Sequence, residues 1–98
     1  KDRTDGLRYQ KSGGYYMKKN VTIKMRESME ATPIAHLVQL ANQFQSQVYI
    51  EMDTKKVNAK SIMGMMSLVL TRGTEVTIDA QGDDEEKAVV AIEDFLTK

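Results

Sequence analysis

The feature of this sequence that most constrains its fold is an alternation of apolar and polar side chains in three short segments. Residues 21–25, 48–52 and 76–80 each place an apolar side chain at every second position. This period is typical of a strand that buries one face and exposes the other. The polar pair Asp53 and Thr54 follows the second segment and predicts a hairpin turn into another strand at 56–59. Four strands with one apolar face each are therefore expected.

Apolar residues at helical spacing follow the first and the third strand. Thr32 or a neighbour is expected to cap the first helix, with Pro33 in its first turn, where a missing N–H costs nothing. Ser61 is a preferred cap for a short second helix that ends near Gly73, a residue suited to the left-handed backbone. The expected apolar stripes are Ile34, Leu37, Val38, Ala41 and Phe44 in the first helix, and Ile62, Met65, Met66 and Val69 in the second.

A third helix is predicted after the last strand. Asp83 can cap it and Glu86 can complete a capping box, ahead of a buried stripe formed by Ala88, Ile92, Phe95 and Leu96. The order βαββαβα predicts an α+β fold, an open-faced β-sandwich in which a four-stranded antiparallel sheet carries three helices on one face. A ferredoxin-like split βαβ domain is the rival. The short helix before the last strand and the terminal helix favour the open-faced sandwich.

Residues 1–16 differ from the rest of the chain because they are polar, contain glycine and show no period. Met17 follows them directly, shortly before the first alternating segment. We therefore expect residues 1–16 to be a disordered leader or an expression remnant that packs on nothing. Residues 17–98 are expected to form a single domain, since a chain of 98 residues has room for one core.

Composition excludes several classes of function. Acidic and basic residues balance at 14 each, so no overall field draws the chain to nucleic acid or to an anionic membrane. The chain has no cysteine and only one histidine, His36, which argues against a zinc site. No apolar run has the length of a membrane span and no secretory signal core is present, which predicts a cytosolic protein. No cofactor is expected.

Several short segments, in the right order, resemble the HPr family, the phosphocarrier proteins of the bacterial sugar phosphotransferase system. They are Pro33 with Ala35, Ala-Asn-Gln-Phe at 41–44, Lys-Lys-Val-Asn-Ala-Lys-Ser-Ile-Met-Gly at 55–64, Gly-Thr-Glu-Val at 73–76 and Ala-Gln-Gly-Asp at 80–83. The resemblance runs from about Met17 to the C-terminus. Within the family, the chain is most similar to the regulatory Crh-type members, which also lack the active-site histidine. It implies the HPr form of the open-faced sandwich.

The resemblance also implies that the family's phosphoryl transfer is lost. In the family, a histidine at the head of the first helix accepts a phosphoryl group from enzyme I, assisted by an arginine two residues later. Glu30 and Thr32 occupy these positions, so no catalytic residue is expected. A carboxylate repels an anionic phosphoryl donor and cannot form the phosphoramidate of a histidine. His36 lies further along the helix, where a helix-flank position or a partner contact is expected.

Ser61 matches the serine that HPr kinase/phosphorylase phosphorylates in the family, after which the modified protein binds the transcription regulator CcpA. A phosphate at a helix start meets free N–H groups, and we expect Lys60 and Lys56 to screen its charge. The alternative is that Ser61 is only a helix cap, contributing about 1 kcal/mol.

The resemblance further implies a partner-binding surface at the starts of the first two helices. Its residues are Met29, Ala31, Ala35 and His36 on the first helix, and Lys60, Ile62, Met63 and Met66 around the second. Methionine side chains adapt to different partner surfaces. The alternative is that a methionine stripe belongs to the core, which is the expected place of Met65, Leu68 and Val69.

The sequence therefore predicts an HPr-like regulatory protein that is not an enzyme. The expected partners are HPr kinase/phosphorylase and a CcpA-type transcription regulator, with no direct contact to nucleic acid or membrane. A monomer or a weak dimer is expected, because an edge strand near Val21 could exchange between chains. Two alternatives stay open: a phosphocarrier with Glu30 as a non-standard acceptor, or a binding module without phosphate control.

Overall fold

A computed structural model of the protein describes residues 7–11, 14–24, 31–68 and 70–97. Its elements in chain order are β1 (Leu7–Lys11), β2 (Gly14–Thr22), α1 (Ala31–Asn42), β3 (Gln47–Met52), β4 (Lys55–Asn58), α2 (Ile62–Met66), β5 (Glu75–Gln81) and α3 (Glu85–Leu96). The strands form one antiparallel sheet in the order β1-β2-β5-β3-β4. The predicted α+β fold with four antiparallel strands and three helices is confirmed as β2 to β5 with α1 to α3. β1 adds a fifth strand.

The structure corrects the prediction for residues 1–16. The β1 strand pairs with β2, with Leu7 opposite Lys18 and Lys11 opposite Gly14. The prediction that this part of the chain packs on nothing is therefore wrong for β1 and for the start of β2. Strand pairing rests on backbone N–H and C=O groups, so it can form where the side chains show no apolar period.

One face of the sheet carries the core. Alternate strand residues are buried against the helices, and the uncovered face carries the polar positions of the same strands. The buried apolar residues of the strands and helices are Met17, Val21, Val48, Ile50, Val76, Ile78 and Ala80 from the strands, with Ile34, Leu37, Val38, Ala41, Met65, Ala88, Val89, Ile92 and Leu96 from the helices. Among the described residues, no helix is long and apolar enough to cross a membrane.

The helix ends differ in detail from the predictions. Thr32 lies inside α1 as its second residue, so it does not cap that helix. The second helix ends at Met66, earlier than predicted, while Gly73 does adopt a positive φ of 93° in the turn before β5. Phe44 and Phe95 are half-buried at the edge of the core. Met25 and Val69, predicted in the first strand and the second helix, lie outside the described residues.

The start of α3 is held by a carboxylate that the sequence patterns did not indicate. Asp84, and not Asp83, is the residue before α3, and its side chain does not cap the helix. Its carboxylate accepts hydrogen bonds from the backbone N–H groups of Gln45 and Ser46, each at 2.9 Å, and from the Ser46 hydroxyl. The Ser46 hydroxyl and then the Gln45 N–H lower the pKa of the Asp84 carboxyl to about 2. This contact joins the α1–β3 loop to α3.

Gly82 allows the α1–β3 loop to come close to the chain just before α3. A Cβ atom at Gly82 would lie 2.6 Å from the Cα of Ser46, and the glycine has a φ of 153°. The Gly82 N–H donates to Glu85 Oε1 at 3.3 Å, which replaces the predicted capping role of Glu86.

The Asp84 contact predicts a pH-dependent loss of stability in Asp84→Ala. The lowered folded-state pKa means that ionised Asp84 stabilises the protein above its unfolded pKa of about 3.8 and stops doing so as the pH falls towards 2. We expect Asp84→Ala to have a lower Tm than the wild type at pH 7, and the difference to shrink between pH 4 and pH 2. Thermal denaturation at each pH measures it, with the exposed neighbour substituted in Asp83→Ala as the control. An Asp84→Ala difference that is the same at pH 7 and pH 2 would contradict this account.

Candidate functional site

Hydrogen bonds fix the backbone of the loop that leads to Ser61. The buried Ala59 donates its N–H to the Val48 carbonyl at 2.8 Å. Asn58 accepts twice, from Lys60 N at 2.8 Å through its side-chain Oδ1 and from Ser61 N at 3.0 Å through its carbonyl. Such an asparagine turn is a local alternative to regular structure, and it places Ser61 directly before α2.

The predicted cap at Ser61 is confirmed. Ser61 has extended backbone angles, and its Oγ accepts a hydrogen bond from the Gly64 N–H at 3.1 Å. Its carbonyl accepts from Met65 N at 2.9 Å, the first hydrogen bond of α2. The Ser61 side chain is half-buried. The Ser61 Oγ therefore acts as a hydrogen-bond acceptor for the start of α2. The ester oxygen of a phosphoserine could accept the same hydrogen bond.

Three large apolar side chains next to Ser61 are exposed. The exposed fractions are 82% for Met63, 53% for Met66 and 47% for Ile62, whereas Met65 of the same helix is fully buried. We call Ile62, Met63 and Met66 the α2 patch. Single exposed apolar residues are common, but three on a five-residue helix form a surface that a partner could cover. The role of the patch in partner binding stays a prediction.

The first-helix residues of the predicted surface are described in part. Ala35 is half-buried and His36 is exposed on α1. Ala31 and Thr32 open this helix as its first two residues. Met29 and Glu30 lie outside the described residues. Because α1 packs against α2, the structure brings together the two helices on which the predicted surface lies.

The two lysines expected near a phosphate at Ser61 have other partners. Lys56 lies on the uncovered face of the sheet, where its Nζ is 3.2 Å from Asp79 Oδ2 and 4.9 Å from the centre of the Tyr49 ring. The prediction that Lys56 screens this site is therefore wrong, because successive residues of β4 face opposite sides of the sheet. The Nζ of Lys60 donates to the Phe44 carbonyl at 2.7 Å.

Sequence reasoning missed the charged cluster on the uncovered face. Lys18 Nζ lies 3.3 Å from Glu51 Oε2, and Lys56 pairs with the buried Asp79. The register explains the cluster, since Lys18 is opposite Asp79 and Asp79 is opposite Tyr49. Strand alternation predicts which residues face this side, but only the order of the strands brings these charges together.

Met63 and Met65 allow a matched test of the α2 patch. Met63→Glu is expected to change the free energy of unfolding by no more than about 0.5 kcal/mol, as is usual at exposed positions. Met65→Ala is expected to lower it by about 2–5 kcal/mol, because a buried side chain is replaced by a cavity. Urea denaturation of both variants measures these changes. Equal destabilisation by the two substitutions would place Met63 in the core.

The cap at Ser61 predicts a smaller effect. Ser61→Ala is expected to lower the free energy of unfolding by about 1 kcal/mol, because the Gly64 N–H loses its acceptor. Ser61→Asp is the control, since aspartate is also a preferred cap and keeps an acceptor at this position. If both variants lose stability equally, the hydrogen bond to Gly64 does not carry the effect.

A family model and two relatives of known name all indicate the same family for this chain. The family model described as "PTS HPr component phosphorylation site" matches residues 17–98. The HPr-like protein Crh of Halalkalibacterium halodurans is 45% identical over 82 residues, which cover 84% of this chain and 98% of the relative. The HPr-like protein Crh of Bacillus subtilis is 51% identical over 73 residues, covering 74% of this chain and 86% of the relative.

Solved structures of the family have the same fold. The phosphocarrier protein HPr of Bacillus anthracis has a TM-score of 0.79 at 41% identity, covering 83% of this chain and 96% of that one. A crystal structure of Crh of Bacillus subtilis, described as a dimer with a swapping domain, has a TM-score of 0.67 at 49% identity and covers 78% and 87%. With the family model matching residues 17–98 and the fold shared, this chain belongs to the HPr family of the bacterial sugar phosphotransferase system.

Proposed function

We propose that this HPr-family protein is a regulator that acts by binding protein partners and not by carrying phosphoryl groups or as an enzyme. The observation that carries the proposal is the α2 patch, three exposed apolar side chains directly after Ser61. Burying apolar surface contributes about 25 cal/mol per Å², so a partner that covers these side chains gains affinity from them. The proposal assigns partner binding to residues 17–98, the part of the chain that the family model matches.

The loss of phosphoryl transfer is the second part of the proposal. The chain has one histidine, and His36 is the sixth residue of α1 rather than a residue at its head. Glu30 and Thr32 stand where the family resemblance places the histidine and the arginine. An imidazole nitrogen is a nucleophile near neutral pH, whereas a carboxylate there repels an anionic donor.

Phosphorylation of Ser61 is the proposed control. Ser61 belongs to the segment at 55–64, which is one of those that carry the family resemblance. The Ser61 hydroxyl lies beside the α2 patch. HPr kinase/phosphorylase is the proposed modifying enzyme and ATP its donor, which makes a cytosolic location part of the proposal. A phosphate would add a charge of about −2 beside an apolar surface, so a partner can distinguish the two forms.

A CcpA-type transcription regulator is the proposed partner of the modified form, and catabolite repression the proposed process. The relative from Bacillus subtilis is described as a catabolite repression protein. Thr32 replaces an arginine that the family uses to recognise this regulator. A different protein partner that does not require this arginine would therefore also fit the α2 patch. A binding module without phosphate control is the alternative, in which both forms bind equally.

A monomer or a weak dimer is the proposed oligomeric state. The Crh structure from Bacillus subtilis is described as a dimer with a swapping domain. In this chain residues 14–18 of β2 are paired with β1, so an exchange of the whole of β2 between chains would involve its partner strand as well. Pairing within the chain opposes such an exchange.

Kinase treatment tests the proposed control. Purified protein incubated with HPr kinase and ATP is expected to gain one phosphate, measured by mass spectrometry, and Ser61→Ala to gain none. A pull-down with immobilised CcpA-type regulator is expected to retain the phosphorylated form, and Met63→Glu to lose this binding while staying folded. The proposed control fails if Ser61 stays unmodified under conditions that modify an ordinary HPr.

Enzyme I provides the test of the phosphocarrier alternative. With enzyme I and labelled phosphoenolpyruvate, we expect no label on this protein, because no imidazole stands at the acceptor position. An ordinary HPr in the same reaction is the positive control. Label on the wild type that disappears in Glu30→Gln would establish the carrier alternative instead.

A further inference from the structure

Lys60, the residue before Ser61, is held to the end of α1 through its side chain. Its Nζ donates to the Phe44 carbonyl at 2.7 Å, and the lysine is half-buried. Phe44 lies just beyond α1, where its own N–H donates to the Ala41 carbonyl at 3.2 Å. The carbonyl end of a helix carries a partial negative charge, so an ammonium group is stabilised there. We call the bond from Lys60 Nζ to the Phe44 carbonyl the Lys60 tether.

A second contact joins the same two places. The Nδ2 of Asn42, the last residue of α1, donates to the Val38 carbonyl at 2.9 Å and to the Lys60 carbonyl at 3.4 Å. The main chain and the side chain of Lys60 are thus both held by the end of α1.

The two residues after Phe44 contact the residue before α3. The N–H groups of Gln45 and Ser46, the next two residues, donate to the Asp84 carboxylate. Asp84 is the residue directly before α3. Ser61 is therefore connected by a continuous set of contacts, through Lys60 and Phe44, to the start of another helix on the same side of the sheet.

We propose that Lys60 transmits the modification of Ser61 to residues 43–46 by exchanging the Phe44 carbonyl for the phosphate. The inference rests on the proposed phosphorylation of Ser61. In that reaction the Ser61 oxygen bonds to the γ-phosphorus of ATP, the bond to ADP breaks and the hydroxyl proton is released. Lys60 itself undergoes no covalent change.

The exchange follows from the charges of the two acceptors. A carbonyl is neutral, whereas the phosphate carries a charge of about −2 and three strong acceptor oxygens. The Lys60 ammonium already makes a charge-assisted hydrogen bond to the carbonyl, and an anionic acceptor adds a Coulombic attraction that the neutral carbonyl lacks. The lysine side chain is a flexible point charge, so it can turn from one acceptor to another. Release of the tether then frees the Phe44 carbonyl and weakens the hold on the two residues after it.

The other two lysines of this region are less suited to the exchange. Lys55 Nζ donates to the carbonyl of Ser67, at the opposite end of α2 from Ser61, at 3.3 Å. Lys56 lies on the uncovered face of the sheet with Asp79. Lys55 provides a matched control, because its ammonium also contacts a single carbonyl at one end of a helix.

Amide hydrogen exchange of the full chain, measured by NMR, tests the inference. Phosphoserine is introduced at position 61 by genetic encoding, so that no kinase is required. We expect the Gln45 and Ser46 amides to exchange about three- to ten-fold faster in the phosphoserine protein than in the wild type, the range for loss of one hydrogen bond. Lys60→Met is expected to show the faster exchange without phosphate and no further increase with it. Lys60→Arg and Lys55→Met are expected to respond to phosphoserine as the wild type does.

The outcomes separate this inference from the proposed function. Unchanged exchange at Gln45 in the phosphoserine protein overturns the role of Lys60, and so does a full response in Lys60→Met. The comparison of the wild type with and without phosphoserine remains decisive even if Lys60→Met does not fold. Failure of HPr kinase to modify Ser61 bears only on the proposed function, because the encoded phosphoserine tests the tether without it.

Discussion

The register of β5 between β2 and β3 is the constraint on which the rest of the structure depends. Val76 lies opposite Val21 on one side, and Ile78 lies opposite Ile50 on the other. These apolar side chains form the sheet's part of the core beneath the helices. A slip by one residue would turn them to the uncovered face and carry Asp79 into the core. α3 packs on β2, β5 and β3, and α1 packs on α3, so the helices lie on the apolar face that this pairing sets.

The parts of the fold that local chemistry specifies were predictable from sequence. The β3–β4 hairpin, the cap at Ser61 and the buried stripe of α3 each depend on residues close together in the chain. The hydrogen bonds of Asp84 depend on Gln45 and Ser46, which are distant in sequence. β1 pairs with the neighbouring β2, but it does so through backbone groups, so its side chains show no apolar period. Asp83 and Asp84 are equivalent as sequence signals for a cap. The approach of Ser46, which only the fold brings there, distinguishes them.

The candidate site was predictable to a similar extent. The family resemblance pointed to Ser61 and to the α2 patch, and the structure places these residues side by side at the surface. The environment of the lysines was not predictable, because it depends on which face β4 turns to the helices and on where α1 ends. The Lys60 tether is of this kind, since Phe44 is 16 residues away in sequence. The sequence and the resemblance therefore identified the groups but not the contacts that they make.

Gly82 shows that exposure is a poor guide to which positions accept substitution. It is exposed at the end of β5, yet its backbone angle and its approach to Ser46 leave no place for a side chain. A side chain at this exposed position would have to displace the Ser46 backbone, as an enlarged side chain in the core displaces its neighbours. Mutational tolerance in this protein is thus set by backbone proximity as well as by depth.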